Sequence, residues 1–168
     1  MPDGVSRADL LRGRFKQAPA PIRPPGALAE ARFVAACTRC DACVAACPEG
    51  IIVRGANGFP EIDFSRGGCD FCGRCATACD TGALDAARQP AWGLKATVDA
   101  NCLSVQGVMC RLCEEQCEPR AIRFRLAYGG YALPEIDAAH CTGCGVCVAA
   151  CPSTAIRVAE PSTNGSES

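Results

Sequence analysis

Residues 37–47 read CTRCDACVAAC, residues 69–79 read CDFCGRCATAC, and residues 141–151 read CTGCGVCVAAC. Each carries four cysteines at the spacing C-x2-C-x2-C-x3-C. A fourth stretch, CLSVQGVMCRLCEEQC at residues 102–117, keeps the last two intervals and widens the first to seven residues. The cysteines are therefore Cys37, Cys40, Cys43 and Cys47; Cys69, Cys72, Cys75 and Cys79; Cys102, Cys110, Cys113 and Cys117; and Cys141, Cys144, Cys147 and Cys151. All 16 cysteines of the chain fall into these four groups.

Three thiolates two residues apart in a tight loop can wrap three corners of an iron–sulfur cube. The fourth cysteine starts a helix that leads away, so it ligates the cube of a partner group, as in two-cluster bacterial ferredoxins. Pro48 and Pro152 follow the fourth cysteines of groups one and four, in keeping with that pattern; group two has Asp80 there, and group three has Glu118 with Pro119 one step on. Zinc is the rival metal, but its sites use pairs of C-x2-C separated by a dozen or more residues. Disulfides are excluded by the cytoplasmic setting argued below. Cys102 is either the fourth ligand of a stretched site or a bystander. His140, the only histidine, precedes Cys141 and reads as a surface side chain.

Composition points the same way. The 168 residues include 9 aromatic side chains (6 Phe, 2 Tyr, 1 Trp), and the 49% hydrophobic share is swelled by Ala and Cys. Apolar burial alone cannot hold such a chain. The net charge of -1 argues against nucleic-acid binding by bulk electrostatics. No run of apolar residues is long enough to span a membrane. The N-terminus MPDGVSRADLLRGRFKQ lacks a signal-peptide core, and SRADLLRG has one arginine, Arg7, where a twin-arginine signal has two. The expected location is cytoplasmic.

The chain repeats internally. GIIVRGANGFPEIDFSRGGC joins groups one and two, and AIRFRLAYGGYALPEIDAAHC joins groups three and four. Pro60-Glu61-Ile62-Asp63 matches Pro134-Glu135-Ile136-Asp137, whereas the link between groups two and three has no such element. The repeating unit is thus a pair of groups, with a period of about 70 residues. Side-by-side pairing assigns Cys37, Cys40 and Cys43 with Cys79; Cys69, Cys72 and Cys75 with Cys47; Cys102, Cys110 and Cys113 with Cys151; and Cys141, Cys144 and Cys147 with Cys117. A nested pairing, one with four and two with three, is the alternative.

The fold class expected is α+β: two tandem two-cluster ferredoxin-like modules of short helices and β-hairpins. Strands are expected at 51–54 and 122–126, with hairpin turns at GANG (55–58) and YGGY (128–131). Ile51, Leu84, Ile122 and Ile156, each four or five residues past a fourth cysteine, are expected to pack against cluster faces. The domains expected are a basic arm at 1–30, modules at 31–90 and 91–159, and a disordered tail at 160–168. The arm combines a basic stretch with the extended PAPIRPPG, and is a candidate docking segment.

Four cubes of about -2 each make the loaded protein far more acidic than its side chains suggest. No dinucleotide or P-loop glycine fingerprint and no nucleophile elbow occurs. The chemistry expected is one-electron carriage or cluster handling, not catalysis on a small molecule.

The arm SRADLLRGRF…IRPPGAL, the quartets at 37–47 and 69–79, the stretched group running on into EPRAIRF, and CTGCGVCVAACP together resemble the NapF family of ferredoxin-type accessory proteins of periplasmic nitrate reductase. The resemblance implies a cytoplasmic, non-enzymatic protein with four [4Fe-4S] clusters ligated by the sixteen cysteines, Cys102 included. It implies binding of the catalytic subunit of periplasmic nitrate reductase before export, and help with its iron–sulfur maturation. An electron carrier feeding a reductase is the alternative role.

Overall fold

The computed structural model describes residues 20–88, 92–127 and 132–161. The first 19 residues of the expected arm, the YGGY turn and the tail from residue 162 lie outside them. No helix among the described residues is long and apolar enough to cross a membrane.

The elements are short and ordered as the repeat implies: α1 (Glu30–Ala36), α2 (Ala42–Ala46), β1 (Ile52–Arg54), β2 (Pro60–Ile62), α3 (Arg74–Thr77), β3 (Lys95–Val98), α4 (Leu112–Glu115), β4 (Ile122–Leu126), β5 (Ala132–Ile136), α5 (Val146–Ala150) and β6 (Ile156–Ala159). The helices end where the fourth cysteine must leave them. Cys47 and Cys151 cap α2 and α5 in extended conformation, with ψ of 111° and 109°. The sequence reading had the fourth cysteine begin a helix. The helix instead contains the third cysteine and ends at the fourth in α2 and α5, and two residues before it in α3 and α4, which are capped by Ala78 and Gln116.

Three antiparallel pairs form: β1 with β2, β4 with β5, and β3 with β6. The two hairpins are those expected. In the first, Gly58 N–H donates to the Gly55 carbonyl at 2.9 Å, closing the GANG turn. The register pairs Ile52 with Ile62 and Ile122 with Ile136, matching the two PEID elements. The third pair was not expected. It sets the strand before group three against the strand after group four, Val98 opposite Ile156. Its counterpart in the first half is the bridge between Ala27 and Leu84, so the segment before each pair of groups closes on the segment after it.

Two small cores result. One gathers Phe33, Ile51, Ile52 and Leu84 around Cys43 and Cys75. The other gathers Phe64, Leu94, Ile122, Ile156 and Val158 around Cys113 and Cys147. α2 packs on α3, and α4 on α5, so groups one and two lie together, as do groups three and four. Residues 20–30, the end of the expected arm, run along the first half. Leu28 N–H donates to the Ala83 carbonyl at 3.1 Å, and Ile62 N–H to the Ile22 carbonyl at 2.8 Å.

Candidate iron–sulfur sites

The loops between cysteines are wound by residues in the left-handed region. In group one these are Arg39 (φ 59°) and Asp41 (φ 62°); in group two, Phe71 (φ 56°) and Gly73 (φ 76°); in group four, Gly143 (φ 75°) and Gly145 (φ 80°). They occupy the same two positions each time. Alternation of right- and left-handed residues turns successive peptide N–H groups toward one concave side, an arrangement that favours anions. Glycine adopts it freely, whereas a side chain at such a position costs about 1–2 kcal/mol.

A second regularity follows each fourth cysteine. Gly50, Gly82, Arg120 and Thr154, three residues beyond it, all have positive φ. Their N–H groups return to the carbonyls of Cys47, Cys79, Cys117 and Cys151 at 3.2, 3.3, 2.9 and 3.3 Å. After groups three and four, this turn aims the next N–H at sulfur: Ala121 donates to Cys117 Sγ at 3.3 Å and Ala155 to Cys151 Sγ at 3.4 Å. Phe71 N–H donates to Cys69 Sγ at 3.4 Å, and Ala96 N–H to Cys141 Sγ at 3.5 Å. Such bonds orient a thiolate and tune whatever it binds.

The cysteines converge in crossed sets. Cys37, Cys40 and Cys43 share a cavity with Cys79, floored by Phe33 and Leu84. Cys69, Cys72 and Cys75 share one with Cys47, against Ile51 and Ile52. Cys141, Cys144 and Cys147 share one with Cys117, against Ile122 and Val158. In each, three sulfurs come from one loop and the fourth from the neighbouring group. In the fourth set, Cys102 and Cys110 are close enough to act electrostatically on the Cys113 thiol. Ile51, Leu84, Ile122 and Ile156 are all buried, and the first three line these cavities.

Burial pushes the Cys69 and Cys147 thiols up to about 12, and Cys43 and Cys113 up to about 11. Sulfurs buried this way hold their protons unless a cation replaces them. Cys79 and Cys151 behave oppositely. Burial raises them, but hydrogen bonds from the Thr81 and Ser153 hydroxyls and from nearby peptides hold them below the usual thiol value. Among the described residues, no three His, Cys, Asp or Glu side chains form a group fit for a single metal ion. A zinc ion would need its thiolates within about 2.3 Å of one point. Four cysteines lining one cavity, three from one loop and one from the neighbouring group, fit a cluster held by its corners.

His140 is exposed and pairs with Asp137, Nδ1 to Oδ2 at 2.7 Å. Three features escaped the sequence reading. Lys95 on β3 sends its ammonium to the Cys141 carbonyl at 2.6 Å, and a strand from KATV was not anticipated. Arg23 lies over Phe33 and Phe59, at 5.0 and 5.6 Å from the ring centroids, while its guanidinium grips Glu30. The seven-residue interval of group three exposes Val105, Val108 and Met109, with Met109 93% accessible, and Leu112 at the start of α4 is exposed just beyond it. Ser104, buried at its base, donates to the Ala132 carbonyl and fixes the loop against the end of the β4–β5 hairpin, beside exposed Leu126 and Leu133.

A family model described as a 4Fe-4S dicluster domain matches residues 36–83, which hold groups one and two, and residues 108–158, which hold group four and all of group three but Cys102. The chain is similar to the "Ferredoxin-type protein NapF" of Escherichia coli (strain K12), 43% identical over 152 residues, covering 90% of this chain and 93% of that protein. It is 38% identical to the protein of that name from Haemophilus influenzae over 166 residues, 93% of this chain and 94% of that one. It is also 35% identical to the "Methylamine utilization ferredoxin-type protein MauM" of Paracoccus denitrificans, over 92% of this chain and 78% of that protein.

Proposed function

The chain belongs to the NapF family of ferredoxin-type proteins, and from that premise we propose that it holds four [4Fe-4S] clusters and assists maturation of the catalytic subunit of a periplasmic nitrate reductase before export. The ligands are the sixteen cysteines, in the four crossed sets given above, with Cys151 completing the set of Cys102, Cys110 and Cys113. The observation that carries the cluster reading is the meeting of three loop cysteines with one cysteine of the neighbouring group in each of three cavities. Each bound cluster supplies a one-electron couple. The chain's own residues would bind it, bury it and aim peptide N–H groups at the cysteine sulfurs that hold it.

A protein partner is supported by the apolar patch of Val105, Val108, Met109 and Leu112. Large apolar side chains held out on a folded loop and the first turn of the helix after it mark a surface meant to be covered. Here the partner is the cytoplasmic form of the reductase subunit, and the protein itself works in the cytoplasm. The role is accessory, not enzymatic.

The experiment is anaerobic co-purification with the export-blocked precursor of the reductase subunit, paired with the iron content of that subunit from cells lacking this protein. A complex with the precursor and an iron-poor subunit in its absence are the expected results. No complex and a normally loaded subunit would remove the maturation role. The burial of Cys43, Cys75, Cys113 and Cys147, and the N–H bonds to sulfur, favour clusters that stay in place. They keep a second reading open, an electron carrier feeding the reductase. Cluster transfer to a metal-free acceptor separates the two: a carrier retains its iron and a donor loses it.

A further inference from the structure

In each half of the chain, one cysteine has a hydroxyl side chain beside its sulfur. Thr81 Oγ1 lies 3.5 Å from Cys79 Sγ, and Ser153 Oγ lies 3.6 Å from Cys151 Sγ. Both hydroxyls stand two residues beyond the fourth cysteine of the second group of the pair. The matching positions after Cys47 and Cys117 are Glu49 and Pro119. An ionised glutamate can only accept, and proline has no polar side-chain atom. The peptide donors to sulfur belong to the backbone, in the cysteine turns and, at Ala96, on β3. These two hydroxyls are the side-chain donors the repeat adds, and it adds them at the same place twice.

We propose that Thr81 and Ser153 set reduction potentials: each donates to a cluster-ligating sulfur and raises the potential of the cluster which that sulfur binds. The inference rests on the cysteines being cluster ligands, as proposed above. It does not depend on which three cysteines share a cube with Cys79 or Cys151. An iron-bound thiolate has no proton, so the hydroxyl must be the donor. One-electron reduction adds negative charge to the cluster and its sulfurs. The hydrogen bond strengthens in the reduced state, which it therefore favours. At Thr81 the same oxygen accepts from Ala83 N–H at 3.4 Å, a bond compatible with the hydroxyl giving its own proton to Cys79.

The test is an EPR-monitored redox titration of the anaerobically purified holoprotein, with iron and sulfide measured on every sample. The variants are Thr81→Val, Thr81→Ser, Ser153→Ala and the Thr81→Val/Ser153→Ala double. Ser153→Ala is the cleaner deletion, because the Ser153 hydroxyl makes no other hydrogen bond among those described. Thr81→Val and Ser153→Ala should each lower the midpoint of one cluster, by up to about 59 mV, a tenfold change for a one-electron couple. The double should lower two, and Thr81→Ser should keep the wild-type value. Full iron and sulfide with unchanged midpoints would overturn the inference. Loss of a cluster from Ser153→Ala, with the other midpoints unmoved, would also overturn it, since the hydroxyl would then hold the ligand and not set the potential. A wild-type protein without iron and sulfide would instead bring down the cluster reading itself.

Discussion

The peptide N–H of Cys69 donates to the carbonyl of Cys144 at 2.8 Å, and this bond joins cysteine loops from the two halves of the chain. Gly68 lies against Val146, and Gly145 lies against the ring of Phe64. The loops of groups two and four therefore abut, with glycines where a Cβ would have no room.

That contact makes Gly145 sensitive to substitution in a way that Gly50 is not. Both have positive φ, 80° and 63°, so either Gly→Ala change brings a backbone cost of about 1–2 kcal/mol. At Gly50 the new Cβ meets open space; at Gly145 it runs into Phe64. Gly145→Ala should destabilise the holoprotein by about 2–4 kcal/mol. Gly50→Ala should cost about 1–2 kcal/mol. Anaerobic thermal unfolding compares them, and equal effects would mean that the two halves do not press together there.

Arg23 ties the segment before group one to the first hairpin. Its side chain is 11% accessible; it grips Glu30 at 2.6 and 3.0 Å, donates to the Pro60 carbonyl at 3.0 Å and covers two rings. Arg23→Ala should cost about 2–3 kcal/mol, and Arg23→Lys less, since it keeps the charge without the fork. The hydrogen bond from Arg23 holds the Glu30 carboxyl below its ordinary 4.5. A depressed carboxylate contributes fully above its unfolded value and is lost only as pH falls through its lower folded one. The gap between wild type and Arg23→Ala should therefore be flat from about pH 8 down to pH 5. Urea unfolding at several pH values checks it, and a gap that shrinks in that window would contradict it.

Stripping the clusters should unfold the chain. The cores are thin, and each is built around buried cysteines: Cys43 and Cys75 in one, Cys113 and Cys147 in the other. With the metal gone, these cavities lose the groups that fill them. Far-UV circular dichroism after chelation under oxidising conditions should show loss of most ordered signal. A retained spectrum would mean that apolar packing alone suffices.

The exposed loop of group three should matter for partner binding and little for stability. Met109→Glu and Val108→Glu place charge on an apolar surface next to Cys110. Each should weaken binding of the reductase precursor about tenfold or more while iron content stays full. Unchanged affinity would place the partner elsewhere.

Much of the architecture was legible because cysteine spacing is a local signal. The groups, their side-by-side packing and the two hairpins follow from intervals and from the repeated PEID. The β3–β6 pair was not legible. KATV and IRVA are four residues each, and they lie far apart in sequence, so nothing local marks Lys95 as the residue that reaches Cys141. The segment 20–30 read as a separate arm because PAPIRPPG is extended and proline-rich. Its role in the fold comes from one half-buried arginine and a few backbone bonds, which composition does not reveal. The hydroxyls of Thr81 and Ser153 were in plain view, but only the turn after each fourth cysteine brings them to sulfur.

Crossed ligation of four cubes by sixteen cysteines, as proposed, fixes how much iron and sulfide the chain should carry. Iron and acid-labile sulfide per chain, measured on anaerobically purified wild type beside Cys79→Ala and Cys102→Ala, test it most directly. About sixteen of each are expected in the wild type and about twelve in either variant. Zinc without sulfide, or a Cys102→Ala protein that keeps all its iron, would contradict it.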